Sequence, residues 1–278
     1  MPKDPSMRSV VLGAWLRELR EASGLTTQQV ADAVGGSQSQ VSRQETARIT
    51  ASSEDVAALC DLYGATPDAT AVLMDLARNQ HRRGWWPTAG LWGRDPYLIL
   101  EDLARHIRLW QAQVIPGLLQ TPAYARAVIG AANASLPTED VEELVKDRMA
   151  RKPLLERPKA PHLDAIIDEA VFHRGLADRS VMLPQLRSLL DLPETVSLRV
   201  LPYAVAWHSG TSGSLTILTF SEGLSSKPQA ESAGGSVYIE SAGALAHCEE
   251  IWEGLDTQAM SRDDSRAWIA RLLEEHST

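Results

Sequence analysis

The sequence predicts an all-α domain of five helices followed by a larger mixed α/β (α+β) domain. Three observations carry that reading. Residues 9–78 hold short apolar-periodic segments, all after the first opened by Ser or Thr, and punctuated by Gly24, Gly35–Gly36 and Gly64. From His162 onward, β-branched runs alternate with helical ones. Between these regions the texture changes abruptly, with three Trp, three Gly and two Pro in "NQHRRGWWPTAGLWGRDP", residues 79–96. The expected organisation is therefore 1–78, a helical domain; 79–96, a Trp-rich docking linker; and 97–278, an α/β domain.

In the first helix, Val11, Leu12, Trp15, Leu16, Leu19 and Ala22 recur at three and four residues, one helical stripe that Gly24 ends. Thr26 with Gln29 makes a capping box, and Val30, Ala31 and Val34 give the second helix its buried face. Gly35–Gly36 breaks the chain. Ser37 with Gln40 makes a second capping box that opens a third helix to about Glu45, and Ser52 with Asp55 opens a fourth, closed by Gly64. Thr66–Pro67 starts a fifth, proline being tolerated at the first helical position.

From Tyr97 to about Arg151 the pattern is again helical, interrupted by "VIPGLLQTPAYAR" at 114–126. Strands are expected at 162–172, 196–203, 213–220 and 236–241, with a helix at 180–192 between the first two. The Gly/Ser-rich stretch 222–235 reads as a mobile loop. "SRDDSRAWIARLLEEH" is a capped amphipathic helix.

At 278 residues, 44% hydrophobic and 23% charged, the chain has ordinary soluble composition and length enough for a substantial core. A formal net charge of −9 argues against the whole molecule binding polyanions non-specifically, but leaves room for a local face. Two cysteines, Cys60 and Cys248, are no disulfide framework, so a reducing cytoplasm is expected, with nucleoid association when DNA is bound. The opening "MPKDPSMRSVV" lacks an apolar core, which predicts no signal peptide, and no apolar run approaches a membrane span.

"TTQQVADAVGGSQSQVSRQE", residues 26–45, carries the functional signal. Two short helices that cross steeply need a small residue where they approach, met by Ala31. The turn needs a residue free to take positive φ, met by Gly35. The second helix must bury one side, at Val41. Its other side offers Gln38, Ser39, Ser42 and Arg43 to base edges, Gln matching adenine and Arg guanine. Thr27 and Ser37 sit at helix N-termini, where hydroxyls and backbone N–H groups hold phosphates. The candidate DNA contacts are Thr27, Gln28, Ser37, Gln38, Ser39, Gln40, Ser42, Arg43 and Arg48.

This stretch resembles the helix-turn-helix of Cro/phage-repressor-type regulators, the xenobiotic-response-element class, over about residues 11–78. The resemblance implies five helices, a homodimer and a pseudo-palindromic double-stranded DNA operator. Three positions depart from the family's pattern. Thr27 stands where Gln is frequent, Gln44 where an apolar residue is usual, and Glu45-Thr46-Ala47 where the family runs E-x-G. Residues 1–78 hold seven Lys/Arg against ten Asp/Glu, so the domain is not basic as a whole. Arg17, Arg20, Arg43 and Arg48 are expected to make one positive face, with modest non-specific affinity.

"GWW" at 84–86, "IPGLLQTPAYARAVI" at 115–129, "RMARKPLLERPKAPHLDAIIDEAVFHR" at 148–174, "VSLRVLPYAVAWHSGTSGSLTILTF" at 196–220 and "VYIES" at 237–241 resemble the C-terminal domain of WhiJ-like, toxin–antitoxin-like regulators of actinobacteria. That resemblance implies a transcription regulator, often paired with a small acidic partner protein encoded nearby. Trp85, Trp86, Trp92, Trp110, Tyr124 and Arg126 either gather around a small acidic ligand or a partner's C-terminus, or staple the linker to the domain. Leu118 and Leu119 read as core.

No enzyme chemistry assembles. "HSGTSGS" at 208–214 has Ser where G-x-S-x-G needs its last Gly and precedes a strand, so it reads as a turn. His247–Cys248 are helix neighbours that point apart, the seven His lack metal-ligand spacing, and no phosphate-loop or dinucleotide fingerprint occurs. Asp168 and Glu169 read as opposite faces of a strand. No catalytic residue, cofactor, metal or membrane partner is expected. The expected function is a sequence-specific DNA-binding transcription regulator, probing its operator with residues 37–45 and receiving a signal or partner through its C-terminal domain. Two alternatives remain: an antitoxin-like interaction protein with DNA binding secondary or lost, and a small-molecule-sensing repressor.

Overall fold

The computed structural model describes residues 5–81, 96–220, 226–232 and 235–277. It comprises an N-terminal helical helix-turn-helix region followed by a mixed α/β region built on a six-stranded sheet. Two compact units are present: Met1–Leu103 with Ser221–Lys227 and Ser232–Ser241, and Ala104–Phe220 with Pro228–Glu231 and Ala242–Thr278.

In the first unit the helices are α1 (Met7–Ala22), α2 (Thr27–Val34), α3 (Gln38–Glu45), α4 (Ser53–Tyr63), α5 (Pro67–Arg78) and α6 (Pro96–Leu103). Local chemistry sets their ends. Ser6, Thr26, Ser37, Ser52 and Thr66 each accept a backbone N–H of the first turn, and full capping boxes form at Thr26–Gln29 and Ser52–Asp55; the box expected at Ser37–Gln40 is only half made, Ser37 accepting the Gln40 N–H. α1 packs on α3, α4 and α5 through Val10, Val11, Leu12, Trp15 and Leu16, but Leu19 is only half-buried and Ala22 is exposed. Met7 N–H donates to a Glu240 carboxylate oxygen at 3.3 Å.

In the second unit β1 (His106–Gln111) pairs parallel with β2 (His162–Asp168) and antiparallel with β4 (Leu215–Thr219), and β3 (Val196–Leu201) pairs parallel with β2. β5 (Lys227–Ser232) belongs to this unit over Pro228–Glu231 and β6 (Gly235–Tyr238) to the first unit; the sheet order is β3-β2-β1-β4-β5-β6. α7 (Pro122–Ala132), α8 (Thr138–Met149), α9 (Glu169–Gly175), α10 (Arg179–Leu189), α11 (Ala242–Gln258) and α12 (Arg262–His276) complete it. The parallel β1–β2 and β2–β3 pairs need crossovers, which α7–α8 and α9–α10 provide.

Three expectations are corrected. β1 is a strand inside a stretch read as helical, because "HIRLWQ" buries Ile107 and Leu109 at spacing two while Trp110 is fully buried on the other face. The 162–172 run is strand only to Asp168, whose carboxylate accepts the Ala170 N–H and caps α9, so Asp168 and Glu169 do not share a strand. Within 222–235, residues 227–232 form β5 and bury Lys227 and Gln229.

Candidate nucleic-acid interface

α2 and α3 meet as their residues dictate. Ala31 and Val30 are fully buried and Val41 is 2% exposed. Gly35 takes φ 71°, and the Gly36 N–H returns to the Ala31 carbonyl at 2.9 Å. Val34, expected in the core, is 40% exposed, because the chain turns away directly after it.

α3 has two chemically distinct faces. Inward lie Val41, Gln44 and Glu45. Gln44 donates to the Asp55 carboxylate at 2.9 Å, which also accepts the Ser52 N–H, so a polar residue at a usually apolar position ties α3 to the start of α4. Glu45 takes a forked bond from Arg20 of α1, at 2.6 and 3.0 Å, and Arg20 also reaches the Leu25 carbonyl at 2.9 Å. The Glu45 carboxylate raises the Arg20 pKa. The Tyr63 hydroxyl is buried nearby with no hydrogen-bond partner among the described residues, and burial, with the Glu45 charge, pushes its phenol up. α1 reaches α3 most closely at Gly13, where a Cβ would lie 2.5 Å from the Gln44 carbonyl oxygen and 2.7 Å from that of Glu45.

Outward lie Ser37, Gln38, Ser39, Ser42 and Arg43, all exposed, with Gln40 half-buried. The Ser37 hydroxyl accepts the Gln40 N–H at 3.1 Å, which leaves its own O–H to donate. Arg43 rests its Nε–H on the Ser39 carbonyl at 3.1 Å, and Ser42's carbonyl accepts Thr46 Oγ1 at 2.8 Å. Thr27 is half-buried at the start of α2. Gln28 is exposed and bound to Asp32 at 2.8 Å, a contact that any DNA bond from its amide would have to replace. Past α3, Ala47 takes φ 54° at the position where the helix reverses, and Arg48 is exposed beyond it. Neither Arg43 nor Arg48 has an acidic partner among the described residues.

The four-arginine positive face is therefore corrected to two. Arg20 is held by Glu45, and Arg17 by Glu21 at 2.8 Å, which lowers the Glu21 pKa. Gly13, the Arg20–Glu45 pair and the left-handed Ala47 escaped the sequence reading. Only Ala47 left a signal, in the missing Gly of E-x-G.

Of the aromatic cluster, Trp110, Tyr124 and Arg126 are described. Trp85, Trp86 and Trp92 lie outside the described residues. Trp110 is fully buried in β1, its indole N–H donating to the Gly210 carbonyl at 2.9 Å and its ring edge-on to His208. Tyr124 is buried, its oxygen accepting the Ile115 N–H at 3.1 Å. Arg126 is exposed and paired with Glu142. These three side chains have separate partners, so Trp110 and Tyr124 are core groups, as are Leu118 and Leu119. Ser209–Ser212 form a 3-10 turn before β4, and Cys60 and Cys248 are buried free thiols. Among the described residues no helix is long and apolar enough to cross a membrane.

Comparison with known proteins gives two family matches. A helix-turn-helix domain family model matches residues 11–73, and that of a domain of unknown function, DUF5753, matches residues 95–271. Among solved structures, the crystal structure of the clp gene regulator ClgR from C. glutamicum is similar, with 30% identity over 30% of this chain and 100% of that chain, at a TM-score of 0.23. No curated protein matches. The chain belongs to the DUF5753 family and carries its domain behind an N-terminal helix-turn-helix domain.

Proposed function

We propose that residues 1–78 are a sequence-specific DNA-binding domain of a transcription regulator, and that residues 97–278 receive its signal or partner. One observation carries the reading: α3 spends its bulky and acidic side chains on the core and turns a row of short polar side chains and one unpaired arginine outward. α3 enters the major groove, with Gln38 and Arg43 contacting bases and Ser39 and Ser42 beside them. Thr27, Gln28, Ser37, Gln40 and Arg48 hold the backbone. The protein acts as a homodimer on a pseudo-palindromic operator and belongs to the Cro/phage-repressor-type class, with a WhiJ-like C-terminal domain.

Among the described residues of α3 and the turn after it, Arg43 and Arg48 are the cations without an acidic partner, so the affinity depends on base contacts and dimer symmetry more than on counterion release. Fluorescence anisotropy of the full chain with DNA from upstream of its own gene tests this, at two salt concentrations and with competitor DNA. Tight, competitor-resistant binding with a shallow salt slope is expected. Binding that competitor removes completely would overturn sequence specificity.

A further inference from the structure

Two features of the second unit complement each other. The first is a knob. Trp207 is 86% exposed and Tyr203 59%, and the loop they bound, "YAVAW" at 203–207, carries no charge. Loose packing does not explain that exposure, because the loop is fastened at both ends. At its start the Tyr203 N–H donates to a Glu169 carboxylate oxygen at 2.8 Å, and the Tyr203 ring stacks on His173 at 5.6 Å. At its end His208 lies edge-on to the buried Trp110 at 5.2 Å, and the Ser209 hydroxyl donates to the Ile251 carbonyl at 2.7 Å. Gly210 presses on Trp110 so closely that a Cβ there would lie 2.5 Å from the indole nitrogen. The fold holds an indole out in water at a fixed place, although leaving apolar surface wet costs about 25 cal/mol per Å².

The second feature is a hole. A groove of about 390 Å³ opens between the end of α10 and α12, lined by Leu190, Asp263, Arg266, Ala267 and Ala270. That volume lies in the range of sites that take small ring systems, about 300–1,000 Å³. The side chains of Arg266 and Asp263 have no ion-pair partner among the described residues. The groove thus offers a cation for an aromatic face, an acceptor for an N–H and three apolar side chains between them. His173 links the two features: its ring also meets Trp268 of α12, the neighbour of Ala267, at 5.9 Å.

We propose that the occupant of this groove is Trp207 of a second copy of the chain, and that the contact, made twice about a two-fold axis, forms a homodimer. Arg266 meets the indole face, Asp263 accepts the indole N–H, and Leu190, Ala267 and Ala270 cover the ring. Charge favours this occupant. Two copies of net charge −9 repel, and an uncharged loop brings the ring to the groove without adding a like charge. Knob and hole belong to one unit, as a self-complementary surface requires. The inference rests on the homodimer reading and names its surfaces; it does not depend on α3 reading DNA.

The test is sedimentation velocity of the full chain between about 1 and 100 µM. A dimer with a Kd of about 10 µM or tighter is expected. Trp207→Ala and Ala267→Glu, both at exposed positions, each spoil two contacts per dimer. Each should raise the Kd at least about a hundredfold, with the far-ultraviolet circular dichroism unchanged. Leu144→Ala, at an exposed leucine of α8, should leave the dimer as it is. An equal mixture of the two interface variants should pair again, about tenfold more weakly than the parent, because one intact Trp207 meets one intact groove. A mixture that stays monomeric would overturn the knob-and-hole contact. A dimer that both variants leave intact would overturn these surfaces while keeping the homodimer. A parent that is monomeric at about 100 µM would overturn both. Species that keep growing with concentration would overturn the closed pair.

Discussion

Arg20 and Arg148 are both drawn out of water, and the protein treats them in opposite ways. Arg20 meets a carboxylate: Glu45 grips it with two bonds, and its pKa rises. Arg148 meets an amide oxygen with Arg151 beside it, and its pKa falls. The first charge is finished within the fold, locking α1 to α3. The second rests on the neutral Gln120 side chain, with Arg151 and Glu231 acting on it from nearby. The same contrast runs around α3, whose inner polar groups, Gln44 and Glu45, have protein partners while its outer ones do not crowd against the core. Residues that complete the fold should therefore govern stability, and residues that face outward should govern binding.

Substitutions break or sharpen that contrast, beginning with the largest loss. Glu45→Gln removes the partner of a cation whose side chain is 11% exposed, and should cost about 3–5 kcal/mol in chemical denaturation. Arg148→Gln should change stability by less than about 1 kcal/mol, since it relieves repulsion from Arg151 while losing one bond to Gln120. Equal losses for these two variants would erase the distinction between them. Gly13→Ala pushes a methyl into the carbonyls that end α3 and should cost about 2–3 kcal/mol, read as a lowered Tm.

On the outer face, Gln38→Ala and Arg43→Ala should each weaken operator binding by about 1–2 kcal/mol and relax one base pair of specificity, with the denaturation midpoint unmoved. One substitution is a gain: Ala47→Gly relieves a left-handed backbone and should stabilise by about 0.5–1 kcal/mol.

The first unit was legible because its signals are local. Thr26–Gln29, Ser52–Asp55, Thr66–Pro67 and Gly35 act within four residues, and the helices start and stop where they stand. The α3 face followed from 3.6-residue periodicity around Val41. What stayed hidden depends on distant partners. Arg20 and Glu45 lie 25 residues apart. β1 is a strand because β2 and β4 flank it, from residues 162–168 and 215–219. Gly13 acquires meaning only where α1 touches the end of α3. The roles of Trp110 and Tyr124 in the core also rest on partners no linear pattern shows: the indole turns to Gly210 and the phenol to Ile115. The turn around Gln120 that seats Arg148 draws on residues 115–121, 148–152, 185 and 231, a grouping no linear pattern displays.

The measurement closest to the central claim compares the Gln38→Ala/Arg43→Ala double variant with the parent, by thermal melting and by anisotropy on the same upstream DNA. The account predicts an unchanged melt and loss of competitor-resistant binding. A double variant that binds like the parent would contradict it, and α3 would then be a solvated face rather than a reading head.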